Sequence, residues 1–183
     1  PLVEAICASG LKTIEITMNS EKAPELIKKA VGVGGSGLTV GAGTVLSVNS
    51  LKQALGAGAS FCVTPALVKE VNEYCVKNKI PVFPGALTPL EIYNAWNSGA
   101  AMVKVFPAQF FGPEYFKEIK GPFDDIKLLA CGGVTPQNIK AYFINGASAV
   151  AFGASVFKKE WLKDKNFSGI SDCIKDFISA YKG

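Results

Sequence analysis

The chain has 183 residues, 49% of them apolar and 19% charged, with a formal net charge of +4; this is the length of one domain and the composition of a packed globular core. All 19 basic residues are lysine and histidine is absent, which excludes a Ser-His-Asp triad and histidine-built metal sites within these residues. Acid–base chemistry is left to carboxylates, lysine, tyrosine, cysteine or water.

In chain order, short β-like runs alternate with longer amphipathic ones. Strands are expected at 12–17, 39–45, 61–64, 81–84, 102–106, 127–131 and 149–152. Helices are expected near 2–8, 21–30, 47–55, 66–77, 89–97, 113–119, 136–144 and 171–181. Thr88-Pro89-Leu90-Glu91 joins an N-cap residue, a proline at the first helical position and a glutamate at the third; Thr135-Pro136 repeats the first two features. Gly10, Gly58, Gly99 and Gly146 stand where helices should close. Such alternation predicts a parallel sheet with helical crossovers. A closed (β/α)8 barrel needs eight strands and seven are countable, so one barrel domain over 1–183 is expected, with its first strand ahead of Pro1. The alternative, an open doubly wound sheet, wants a glycine-rich turn after its first strand; GVGGSG at 32–37 precedes a strand instead.

No apolar run reaches the roughly 18 residues of a membrane span. The lysines, densest at Lys158, Lys159, Lys163 and Lys165, read as a solvated surface rather than a nucleic-acid patch. Five cysteines, at 7, 62, 75, 131 and 173, form no CxxC pair, so reduced cytoplasmic thiols are expected.

Two strands carry an ionisable residue among apolar neighbours. In Met102-Val103-Lys104-Val105-Phe106, alternation puts Met102, Lys104 and Phe106 on one face and both valines on the other. With the valines against outer helices, Lys104 points inward. Burial penalises an ammonium relative to the free amine, and the free amine is the nucleophile that condenses with a ketone. A lysine that snorkels to the strand end, or pairs with a buried acid, is the competing reading. In Thr13-Ile14-Glu15-Ile16-Thr17 the same alternation turns Glu15 inward. The two could form a mere buried ion pair, a weak stability device; inward ionisable groups also cluster at functional sites.

Cys131-Gly132-Gly133-Val134 and Phe152-Gly153-Ala154-Ser155 close the last two strands. Backbone amides after the final two strands of a barrel commonly hold phosphate, and glycine lets the backbone approach the anion; tight turns explain each glycine group equally well. Gly41-Ala42-Gly43-Thr44 ends an earlier strand, where Thr44 could donate to a carboxylate or simply pack a loop. Phe83-Pro84 and Phe106-Pro107 could wall a substrate carbon chain or serve as core and turn.

Taken in order, GLKTIEIT, VGAGTVL, FCVTPAL, PVFPGALTPLE, MVKVFPA, GGVTPQN and FGAS resemble the KDPG/KHG aldolase family over essentially the whole chain. The resemblance implies a homotrimer of (β/α)8 barrels that cleaves a 2-keto-3-deoxy-6-phospho-sugar acid or 4-hydroxy-2-oxoglutarate to pyruvate and an aldehyde, with no metal and no cofactor. It implies Lys104 as the Schiff-base lysine and Glu15 as the general acid/base. It implies Thr44 on the pyruvate carboxylate, Pro84 and Phe106 lining the pocket, and Gly132, Gly133 and Ser155 around the phosphate; Gly153, after the last strand, is read with them. Two positions depart from the gluconate enzymes: Asn19 stands where many members carry an arginine, and Cys131 where a threonine is common. Asparagine offers hydrogen bonds to a carboxylate but neither charge nor a bidentate fork, and it is similar to the 2-keto-3-deoxy-6-phosphogalactonate branch. The rival functions are another phosphate-binding barrel enzyme, such as an epimerase or isomerase, and a non-catalytic barrel that binds sugar acids.

Overall fold

A computed structural model describes residues 1–182. Helix α1 (Leu2–Ala8) leads into β1 (Thr13–Thr17), α2 (Ala23–Gly34), β2 (Thr39–Gly43), α3 (Val48–Gly56), β3 (Cys62–Val63) and α4 (Lys69–Lys77). Then come β4 (Val82–Phe83), β5 (Gly85–Ala86), α5 (Pro89–Asn97), β6 (Val103–Val105), α6 (Glu114–Lys120), β7 (Leu128–Cys131), α7 (Ile139–Ile144), β8 (Ala149–Ala151), α8 (Lys159–Lys163) and α9 (Phe167–Lys182). The strand expected ahead of Pro1 falls outside the described residues.

The chain forms two compact units, one running from Lys12 to Val105, the other joining Pro1–Leu11 to the chain from Phe106 onward. In the first, β1 to β4 make a parallel sheet in sequence order, and β5 pairs in parallel with β6. The β1–β2 register sets Glu15 opposite Gly41 and Thr17 opposite Gly43. From Val40 to Gly43, β2 is buried at every residue, as a parallel strand covered on both faces should be. Ile27, Leu51, Val71 and Ile92, from four helices, are fully buried in this unit. In the second unit β7 pairs in parallel with β8, setting Cys131 opposite Ala151, and α1 packs on α9. Its core holds Phe116 edge-on to Tyr142 at 5.3 Å and Phe152 stacked on Phe177 at 4.0 Å.

Three sequence expectations need correction. The strand expected at 81–84 is shorter, Val82–Phe83, and ends at Pro84, which has no N–H to donate; a second two-residue strand, Gly85–Ala86, follows it. The Pro84 carbonyl still accepts the Lys104 N–H at 2.9 Å, so the stop leaves β6 anchored. Helix α7 starts at Ile139, not at 136, because the Asn138 side chain accepts the Thr135 N–H at 2.8 Å and takes the cap position. The short α8 was not anticipated; its five residues include two lysines that read as plain surface.

The four closing glycines all have positive φ, between 89° and 103°. The α5 capping box is complete: the Glu91 N–H donates to the Thr88 hydroxyl at 3.4 Å, and the Glu91 carboxylate accepts from the Thr88 and Leu87 N–H groups at 2.8 and 2.9 Å. The Thr88 and Leu87 hydrogen bonds hold the Glu91 carboxyl below its ordinary pKa. Thr88→Ala should cost about 1 kcal/mol, seen as a lower urea midpoint at an unchanged m-value; an unchanged midpoint would show that the box contributes nothing.

Candidate active site

Lys104 is the middle residue of β6 and is buried at 7% relative exposure, between two valines with none. Its backbone is fixed by the bond to Pro84, itself buried, and by pairing with Gly85. A side chain at Gly85 would meet the Pro65 carbonyl oxygen at 2.1 Å, so only glycine fits this neighbour of the lysine.

Glu15, at the centre of β1, belongs to the same unit. It was expected to turn inward, yet solvent reaches a good part of it. The protein around its remaining surface still penalises the anion, and this burial raises the carboxyl pKa above its ordinary 4.5 against the opposing pull of the Lys104 charge. The amine and the carboxylate therefore sit in each other's field. Cys62, fully buried, also feels the Glu15 charge; its hydrogen bond with Cys75 and its burial push that thiol up and keep it protonated. A thiolate nucleophile beside Glu15 is thereby disfavoured.

Thr44 has φ 51°. A β-branched residue in the left-handed region costs of order 1–3 kcal/mol and persists only where its surroundings fix it. Both neighbours are tied: the Gly43 carbonyl accepts the Met18 N–H at 2.8 Å, and the Val45 N–H donates to the Val63 carbonyl at 3.2 Å. Asn19 is exposed, in a turn closed by Ser20 N–H to Thr17 carbonyl at 3.0 Å and by a 2.9 Å bond between their hydroxyls. Lys104, Glu15, Thr44, Pro84 and Asn19 thus lie in one unit.

The other expected site residues lie in the second unit. Gly132 and Gly133 have φ 95° and 76°, a pair of left-handed residues that only glycine adopts without strain. Asn138 staples this turn, donating to the Gly133 carbonyl at 2.9 Å while accepting from Thr135. The Phe106 ring lies against Gly132, and the Gln109 side chain fills the space where a side chain at Gly133 would go. Ser155 donates to the Val134 carbonyl at 3.4 Å, linking the loops after β7 and β8. The Gly153 carbonyl accepts the Val156 and Phe157 N–H groups at 2.9 and 2.8 Å. Cys131 is half-buried at the end of β7. The turn role of Asn138 was not singled out in the sequence; its signal was an asparagine three residues after Thr135, the spacing of a side chain that caps its own turn.

A sequence profile described as KDPG and KHG aldolase matches residues 1–173. The chain belongs to the KDPG and KHG aldolase family. It is an aldolase, and so a lyase, with the (β/α)8 fold of these enzymes. It is 32% identical over 157 residues to the 2-dehydro-3-deoxy-6-phosphogalactonate aldolase of Escherichia coli, spanning 85% of this chain and 77% of that protein. A native KDPGal structure superposes with a TM-score of 0.91 at 30% identity, over 99% of this chain and 86% of the other. The KDPG aldolase of Legionella pneumophila, solved with pyruvate captured as a covalent carbinolamine, superposes with a TM-score of 0.88 at 27% identity, over 96% and 85%.

The coupling of Glu15 to Lys104 can be read directly. A carboxyl whose folded pKa is raised contributes stability that is full below its unfolded value and lost as pH rises through the folded value. Glu15→Gln should therefore flatten that part of the stability–pH curve and gain on the native protein above it. Lys104→Met, which removes the charge that lowers the Glu15 pKa, should move the Glu15 carboxyl midpoint upward in a 13C NMR titration. An unmoved midpoint would mean that the two groups do not interact.

Proposed function

We propose that this chain is a class I aldolase in which Lys104 forms the imine and Glu15 carries the proton. The Lys104 amine adds to the C2 ketone of a 2-keto-4-hydroxy acid, and the carbinolamine loses water to an iminium. Glu15 takes the proton of the C4 hydroxyl, the C3–C4 bond breaks with its electron pair drawn toward the iminium nitrogen, and an aldehyde leaves. Glu15 returns the proton to C3 of the enamine, and water releases pyruvate and the free amine. The observation that carries this reading is a lysine buried mid-strand within the field of a carboxyl whose pKa burial raises, the pairing of groups that acid–base chemistry uses.

The remaining roles follow the family. Thr44 and Asn19 serve the pyruvate carboxylate as neutral donors. Pro84, Phe106 and Cys131 contact the carbon chain, and Gly132, Gly133, Gly153 and Ser155 serve a phosphate. The substrate is a 2-keto-3-deoxy-6-phospho-sugar acid, giving glyceraldehyde 3-phosphate, or 4-hydroxy-2-oxoglutarate. One barrel domain spans 1–183 and assembles as a homotrimer; exposed Leu90, Phe110 and Ile144, each at least 68% accessible, support association. Five free cysteines, among them the adjoining Cys62 and Cys75, support a reducing cytoplasmic setting. Among the described residues no helix is long and apolar enough to cross a membrane.

Pyruvate release measured across the gluconate, galactonate and hydroxyoxoglutarate substrates should show turnover of at least one, with the acid limb of the kcat profile above pH 4.5. In Glu15→Gln, kcat should fall about 10²–10⁴-fold with imine formation partly kept. Unchanged turnover in that variant would remove Glu15 from the proton transfer.

A further inference from the structure

The strand β2 ends in two glycines that leave room for different groups. A side chain at Gly41 would overlap the Phe61 ring, whose nearest atoms lie 2.2 Å from the position of its Cβ. A side chain at Gly43 would overlap Glu15 alone among its nearest neighbours: Oε1 at 2.2 Å, Cδ at 2.7 Å and Cγ at 3.0 Å. The register explains this, because Gly43 pairs with Thr17 and stands diagonally across from Glu15 on the same face. Gly43 is buried, and its φ lies outside the left-handed region. Conformational freedom is therefore not what glycine supplies here; it supplies space.

We propose that Gly43 is a positioning residue for the reaction: the volume left by its missing side chain is the slot that holds the Glu15 carboxylate beside Lys104. The inference rests on the reading of Glu15 as the proton carrier. It adds that the carboxylate's placement is set from the neighbouring strand as well as from β1. A methyl group at 43 cannot share the slot with Oε1. A glutamate side chain has rotamers to turn into, so the carboxylate leaves while the fold stays. This sets Gly43 apart from Gly85, where the obstructing group is the Pro65 main chain and a side chain would force the backbone itself to move.

Gly43→Ala is the test. Its kcat for retro-aldol cleavage should fall about 10²-fold, within the range lost when an acid–base group is misplaced. Imine formation with pyruvate, followed by borohydride inactivation, should stay within about two-fold, because Lys104 is untouched. The same substitution in a Glu15→Ala background, where the slot is empty, should change turnover less than about two-fold. The Glu15 carboxyl midpoint in a 13C titration should move in Gly43→Ala, and this reading needs no activity at all. An equal loss in both backgrounds, an unmoved midpoint, or a loss of pyruvate imine in step with kcat would overturn the proposal, the last by pointing to Thr44 next door. Glu15→Ala with native turnover would instead sink the role of Glu15, whatever Gly43→Ala does.

Discussion

Lys104 is held on a strand between fully buried valines, its charge felt by the Glu15 carboxyl, and the rest of the candidate site answers to that arrangement. A charge withdrawn from water is costly unless something offsets it or the charge is given up. For the Glu15 carboxyl, burial raises the pKa and the Lys104 charge opposes the rise. Because solvent still reaches part of Glu15, the pair is not a sealed ion pair. It is open to solvent on the carboxylate side.

The backbone around the pair is built to hold it. Pro84 ends one strand yet keeps its carbonyl on the Lys104 N–H. Thr44 is kept in a conformation it would not choose by bonds to the residues on both sides. Gly43 leaves the space that the carboxylate fills. In the second unit the turn after β7 depends on paired left-handed glycines and on the Asn138 staple.

Much of this was legible in the sequence, for a physical reason: period-two alternation assigns faces, so Lys104 and Glu15 could be turned inward from five-residue windows. Helix starts with a threonine cap and proline, and glycine stops, were equally plain, as α5 shows. What alternation cannot report is the depth of burial, so Glu15 proved more accessible than its inward direction suggested. Nor can it report cross-strand volume: the partnership of Gly43 with Glu15 depends on the register between β1 and β2. The early stop at Pro84 and the late start of α7 came from hydrogen bonds of single residues that override the pattern. Helix α8 escaped because five residues are too few to show a period; Lys158, just before it, is exposed and lies over the Trp161 ring at 4.2 Å.

The central claim is that Lys104 is the residue that becomes covalently attached to the substrate. Incubation with 13C-labelled pyruvate and borohydride, followed by peptide mapping by mass spectrometry, tests it most directly. The account predicts that the added three-carbon unit maps to Lys104 among the chain's lysines. The label on a different lysine, or no covalent adduct under turnover conditions, would contradict it.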